Sequence, residues 1–200
     1  MTEHYYSKQP QIKSNPQEWT FTLRGEKLRF QTDAGVFSKN EVDFGSRVLI
    51  EAFEASVVPG PILDVGCGYG PIGLAIAKEF PKKMVHMVDV NTRALELAKK
   101  NADKNDVGNV SIYESDGLGS VVEDDFAAIL TNPPIRAGKD TVFRFYEQAF
   151  DKLAAGGSLW VVIQKKQGAP STEQKLEALF GNCRTADKKK GYFIFEARKV

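Results

Sequence analysis

Apolar residues follow two rhythms along this chain. Short runs with little polar alternation, at 62–65, 84–89, 110–113, 126–130 and 159–163, predict strands buried on both faces. Between them, 71–80, 92–105 and 141–153 carry apolar residues at helical spacing and predict amphipathic helices. Strand and helix in alternation predict an α/β fold, a mostly parallel sheet covered on both faces. Trp19, Phe21 and Leu23 alternate, as do Leu28 and Phe30, around Arg24-Gly25-Glu26-Lys27, which predicts a β-hairpin. Val42, Leu49, Ala52 and Phe53 predict a helix over 42–55, ended by Pro59-Gly60-Pro61. At the other end, a helix over 171–180 precedes a hairpin of 184–187 and 192–197 around Lys188-Lys189-Lys190-Gly191, an antiparallel edge that completes seven strands. The expectation is one structural domain: residues 1–58 an extension of hairpin plus helix, packed on a core of residues 59–200.

Composition narrows the class. With 42% hydrophobic and 26% charged residues the chain has the balance of a soluble globular protein. No apolar run approaches the roughly 20 residues that span a bilayer, and 1–10 lacks a signal-peptide core, so a cytoplasmic protein without membrane attachment is expected. Cys67 and Cys183 are too few for a disulfide framework, and with His4 and His86 the only histidines no metal-ligand spacing appears, so no metal is expected. The net charge of +1 is uneven, at −1 over 1–60, −4 over 61–135 and +6 over 136–200. Arg136, Lys139, Arg144, Lys165, Lys166 and Lys188 to Lys190 are candidates for a phosphate footprint, or equally for a solvated face.

The junction after the first core strand carries the densest chemistry. Asp64-Val65-Gly66-Cys67-Gly68-Tyr69-Gly70-Pro71 runs from strand through glycines into a helix. Glycines at 66, 68 and 70 permit positive φ and close backbone approach to a ligand, and Pro71 suits a first helical turn. The N–H groups of that turn favour a carboxylate or phosphate. Asp89, ending the second core strand, is spaced for a ribose diol, and Asp116-Gly117 after the third supplies an acceptor for an adenine amino group. Gly68, Gly70 and Gly73 also satisfy the dinucleotide fingerprint. Asp64 separates the readings: a carboxylate there opposes a pyrophosphate but suits a cationic amine or the backbone of a crossing loop. S-adenosylmethionine has an ammonium, a sulfonium and no phosphate.

Asn132-Pro133-Pro134-Ile135 follows the fourth core strand. Two prolines fix φ and donate no N–H, so the loop is stiff and presents carbonyl oxygens, beside the side-chain acceptor of Asn132. Acceptors of this kind hold the hydrogens of an exocyclic amino group and aim its lone pair at an electrophile. Read alone, the same residues make a tight turn.

These four elements, in this order, resemble the class I S-adenosylmethionine-dependent methyltransferases and their Rossmann-like fold. Within them the chain is most similar to the small-subunit 16S rRNA guanine-N2 methyltransferases, through Asp33-x-Gly35-Val36-Phe37-Ser38, Val42-Asp43-x-Gly45 and the loop from Asn132 to Gly138. The resemblance implies S-adenosylmethionine as cofactor, held by Asp64, Gly66, Cys67, Gly68, Gly70, Asp89, Asp116, Gly117 and Asn132. It implies catalysis at Asn132, Pro133, Pro134 and Ile135, with ribosomal RNA or the small ribosomal subunit as substrate, held by Phe37, Arg136, Lys139 and Lys165. Two departures stand out. The fourth loop position, commonly aromatic in the family, is Ile135, so stacking on the base comes from Phe37, Arg136 or aliphatic packing. Longer members carry a further methyltransferase-like domain before the catalytic one, and a single-domain version is expected here, with a monomer favoured. The alternatives are a protein glutamine-N5 methyltransferase, an adenine-N6 methyltransferase of DNA or RNA, an NAD-binding oxidoreductase, and a non-catalytic RNA-binding module.

Overall fold

The computed structural model describes residues 13–38 and 40–200. The reading of 1–10 as lacking a signal-peptide core, and His4 with it, lies outside the described residues.

Nine strands and five helices are described: β1 (Gln17–Leu23), β2 (Glu26–Thr32), α1 (Phe44–Ala52), β3 (Ile62–Val65), α2 (Pro71–Glu79), β4 (Val85–Asp89), α3 (Thr92–Lys104), β5 (Val110–Glu114), β6 (Phe126–Thr131), α4 (Lys139–Lys152), β7 (Leu153–Gln164), α5 (Ala169–Phe180), β8 (Arg184–Lys189) and β9 (Tyr192–Arg198). The core sheet has seven strands in the order β5-β4-β3-β6-β7-β9-β8. Pairings from β5 to β7 are parallel and the β9–β8 edge is antiparallel, as the apolar pattern predicts. β3 and β6 read as continuous apolar runs because both of their faces are buried. One apolar cluster joins α1, α2 and α3 to one face, the other α4 and α5 to the opposite face. No helix among the described residues is long and apolar enough to cross a membrane.

The chain winds outward from β3 to β5, then returns to β6 on the other side of β3. Loops leaving β3 and β6 therefore diverge in opposite directions, and a crevice opens at their carboxyl ends, where open α/β sheets bind ligands. Val65 and Thr131 are register partners, so the glycine turn and the Asn-Pro-Pro loop leave adjacent strands at the same level. Thr131 Oγ1 donates to the Val65 carbonyl at 2.9 Å and fixes that level.

The extension is tied to the core through aromatic packing. Trp19 and Phe30 meet at 5.2 Å between ring centroids, and both set their rings edge-on to Tyr69 of the glycine turn. Both hairpins turn on two residues of positive φ, Arg24-Gly25 and Lys190-Gly191, the geometry that matches strand twist. The second turn is tighter than the four residues expected, and Lys188 and Lys189 belong to β8. α1 is also shorter than the expected 42–55: Asp43 caps it, its Oδ2 accepting the Ser46 N–H at 3.0 Å, and extended backbone at Phe53 ends it. β7 begins at Leu153 rather than 159, directly from α4.

Candidate active site

A cleft of about 360 Å³ occupies the crevice, walled by Gly66, Cys67 and Gly68, by Asp89 and Asn91, by the loop from Asn132 to Arg136, and by Val36, Phe37, Asp43, Ser46 and Tyr192. On the β3 side the backbone forms the wall. Gly66 and Cys67 donate to the Val88 carbonyl, which turns the chain sharply over the end of β4. Gly66 and Gly68 have φ of 76° and 56°, and a Cβ built on either would meet nothing within 4 Å. They border open space that a side chain would fill.

Asp89 closes this turn. Its Oδ2 accepts the Gly68 N–H at 2.8 Å and its Oδ1 the Asn91 N–H at 2.8 Å, leaving further lone pairs for a ligand. Burial raises its pKa, against the lowering by those N–H groups. Asp64 lies beneath the turn rather than in the cleft wall, 1% exposed, with Oδ2 accepting the Gly73 N–H at 2.9 Å. Of the two uses the sequence allowed it, the structure displays the second, bracing the crossing backbone. Its Oδ1 is buried without a hydrogen-bond partner. Burial pushes the carboxyl up to about 7, opposed by the Gly73 N–H and reinforced by the charge of Asp89. The thiol of Cys67 is driven well above its usual range, first by burial, and stays neutral. Pro71 has no N–H and that of Gly73 goes to Asp64, so the start of α2 has little to offer a phosphate.

On the β6 side, Asn132 Nδ2 donates to Asp43 Oδ2 at 3.2 Å and to Ser46 Oγ at 3.1 Å. A carboxylate only accepts, so the atom facing Asp43 must be the nitrogen, and the amide orientation follows. Among the described residues no hydrogen bond occupies Asn132 Oδ1, the free acceptor of the loop. The proline carbonyls are less free than expected: Pro133 O accepts the Ile135 N–H and Pro134 O the Ala137 N–H, each at 2.9 Å, as the chain closes into a 3₁₀ turn over Ile135–Ala137. Each keeps a second lone pair.

Of the substrate candidates, Phe37 (48% exposed) and Arg136 border the cleft. Asn91 Nδ2 and Arg93 donate to the carbonyls of Gly35 and Ala34, pinning the Phe37 loop to α3. Lys139 instead sits 5.0 Å over the Phe143 ring, beside a second cavity of about 130 Å³ that shares Ile135 and Gln167 with the cleft. Lys165 lies exposed at the end of β7. Asp116 and Gly117 neighbour Asp89 through the Ser115 N–H, yet neither is in the cleft wall. The exposed Asp116 carboxylate takes both terminal nitrogens of Arg144, at 3.3 and 2.9 Å, and Gly117 packs against Phe145 and Gln148. Arg144 is thus engaged with Asp116 rather than open to a phosphate. Sequence reading did not place Ser46, Asn91 or Tyr192 in the site. Asp43 had a signal, Val42-Asp43-x-Gly45, without a role.

A 56% identical relative from Bacillus subtilis, the uncharacterized protein YbxB, matches over the full length of both chains. The ribosomal RNA small subunit methyltransferase C of Vibrio vulnificus is 32% identical over 90% of this chain and 52% of its own length. The structure of a T. thermophilus 16S rRNA N2 methyltransferase in complex with AdoMet and guanosine superposes with a TM-score of 0.83 at 27% identity, covering 96% of this chain and 52% of that one. The chain spans about half the length of these last two proteins. The family model for the methyltransferase small domain matches residues 27–196, from β2 through β9. A sheet wound about β3 and β6, a glycine turn and an Asn-Pro-Pro loop facing one cleft, and that match together make this chain a member of the methyltransferase small domain family.

Proposed function

We propose that this protein is an S-adenosylmethionine-dependent N-methyltransferase of ribosomal RNA, acting on the N2 amino group of a guanine in the small-subunit 16S RNA. The observation that carries the reading is the register of β3 and β6, which sets the open glycine turn and the free acceptor of Asn132 side by side in one cleft. The bare backbone at Gly66 and Gly68 fits a cofactor laid across the turn. The names of the Vibrio and Thermus relatives support an RNA substrate.

When bound, S-adenosylmethionine supplies a methyl group already activated by its sulfonium. Asp89 holds the ribose hydroxyls with its spare lone pairs, and Asp116 takes the adenine amino group in exchange for Arg144. Asn132 Oδ1 and the second lone pair of the Pro133 carbonyl accept the two N2 hydrogens. That pulls the nitrogen lone pair out of the ring plane and points it along the line of displacement. Asp43 and Ser46 hold the amide in this orientation, so it needs no reorganisation during reaction. As the new N–C bond would form, the methyl–sulfur bond would break with its electron pair left on sulfur as a neutral thioether, and the nitrogen would release one proton to water at the cleft mouth, so that no strong base is required. Arg136, Lys139 and Lys165 hold phosphates around the target, which leaves its stack at a cost of a few kcal/mol.

The test is incubation with labelled S-adenosylmethionine and undermethylated ribosomal RNA, isolated small subunits and total protein, followed by nucleoside mass analysis. The expected product is N2-methylguanosine in 16S RNA. Label confined to protein glutamine, or methylation of another base, overturns the assignment.

A further inference from the structure

We infer that the β8–β9 hairpin is the RNA-docking arm of the cleft: Tyr192 stacks on the target base, in place of the aromatic missing at Ile135, and Lys190, Lys165 and Lys166 neutralise the flanking phosphates. The inference rests on the RNA reading given above and names the surface that receives the strand.

Tyr192 begins β9 and pairs with Gln164 at the end of β7, so its ring stands at the carboxyl edge of the sheet, in the same cleft as Asn132 and Ile135. Its back is held by α1. The ring packs on Phe44 at 5.6 Å between centroids, and a Cβ at Gly45 would come within 2.9 Å of Tyr192 Cε1. Glycine at 45 therefore makes room for the ring and leaves its other side toward the cleft. A base entering between Ile135 and Tyr192 gains one aliphatic and one aromatic surface, the kind of sequence-tolerant contact that holds an unpaired base.

Charge on the hairpin completes the surface. Most cations of 136–200 are engaged: Arg144 with Asp116, Lys152 with Asp124, Lys175 with Glu147, Arg184 and Arg198 with the buried Glu196, and Lys189 with Asp187. Lys199 is held by two carbonyls. Among the described residues Lys165, Lys166 and Lys190 have no carboxylate within ion-pair distance, and all three are exposed. The two segments meet, because Lys165 N–H donates to the Gly191 carbonyl at 2.8 Å. Lys190 sets its ammonium 5.1 Å over Phe44, the ring that backs Tyr192. Lys188 turns to the opposite face of the sheet, 4.6 Å over Phe193, and serves as control.

Four changes test this on undermethylated ribosomal RNA: Tyr192→Leu, Tyr192→Phe, the triple change of Lys165, Lys166 and Lys190 to Ala, and Lys188→Ala. Expected for Tyr192→Leu is a loss in kcat/KM of about tenfold or more, with cofactor affinity within about twofold of wild type and most activity retained in Tyr192→Phe. The triple variant should raise KM for RNA and flatten the slope of log affinity against log salt by about 0.7 for each phosphate left without its lysine, while Lys188→Ala leaves it unchanged. Wild-type protein that leaves RNA unlabelled overturns the function itself. Wild-type protein that labels RNA while Tyr192→Leu does so equally, or a salt slope that the triple change does not move, overturns only the docking arm.

Discussion

The two sides of the cleft are built in different ways. The β3–β4 side is local: Gly66 to Pro71 are contiguous, the N–H groups of Gly66, Cys67 and Gly68 return to Val88 and Asp89, and Asp64 braces the turn from below. The β6 side is a composite, with Asn132 held by Asp43 and Ser46 across 89 and 86 positions of sequence and the hairpin of Tyr192 arriving from the far edge of the sheet. In the function proposed above, the turn's backbone with Asp89 takes the cofactor, the part of the reaction that never changes, whereas side chains gathered from distant segments meet the acceptor. The difference teaches that substrate choice can vary in this fold without disturbing the methyl donor.

Five substitutions, with the pH response of one, break or sharpen that division. The largest effect is expected from Asn132→Ala, a fall in turnover on the order of a hundredfold, with cofactor affinity by titration calorimetry nearly intact. Asp89→Ala should do the reverse, weakening cofactor binding about thirtyfold, the scale of a lost hydrogen bond to a charged group. Both variants losing cofactor alike would dissolve the distinction. Asp64 tests the brace through pH. Its carboxyl titrates near ~3.9 in the unfolded chain and is pushed up to about 7 in the fold, first by burial. The folded chain therefore holds a proton that the unfolded chain has released, so the stability it contributes falls as pH rises from about 4 to about 7 and stays low above that. Asp64→Asn keeps an acceptor for Gly73 and cannot ionise. Relative to wild type it should gain on the order of 2 kcal/mol between pH 5 and pH 8 in urea unfolding without cofactor; parallel pH curves would contradict this. Ser46→Ala removes one of two anchors of the Asn132 amide and should cost turnover about fivefold in single-turnover assays. Asp116→Ala should weaken cofactor binding by less than about fivefold, since its carboxylate is exposed and must first leave Arg144.

Legibility follows the same line. β3, β4, β6 and their helices could be read because burial on both faces writes itself as unbroken apolar runs, and the glycine turn because its constraints lie within a few consecutive residues. Asp43 and Ser46 could not be given roles, since their meaning depends on α1 crossing the end of β6. Asp116 reads in sequence as an acceptor for an adenine amino group, and its ion pair is not legible there, since Arg144 comes from α4, beyond the next strand. The turn with three consecutive lysines illustrates another limit: Lys188 lies in β8 over Phe193, whereas Lys190 has left the strand for the turn at positive φ and lies over Phe44, so neighbours in sequence part in space.

The bond from Thr131 Oγ1 to the Val65 carbonyl has a consequence for the distance over which the methyl group travels. One residue along a strand is about 3.3 Å, more than an in-line displacement tolerates. A slip of β6 past β3 by a single position would carry Asn132 out of reach while inverting every side chain on the strand, core and all. The sheet acts as a gauge, and in the proposed reaction the hydrophobic core that keeps its setting also sets the reach of the methyl transfer.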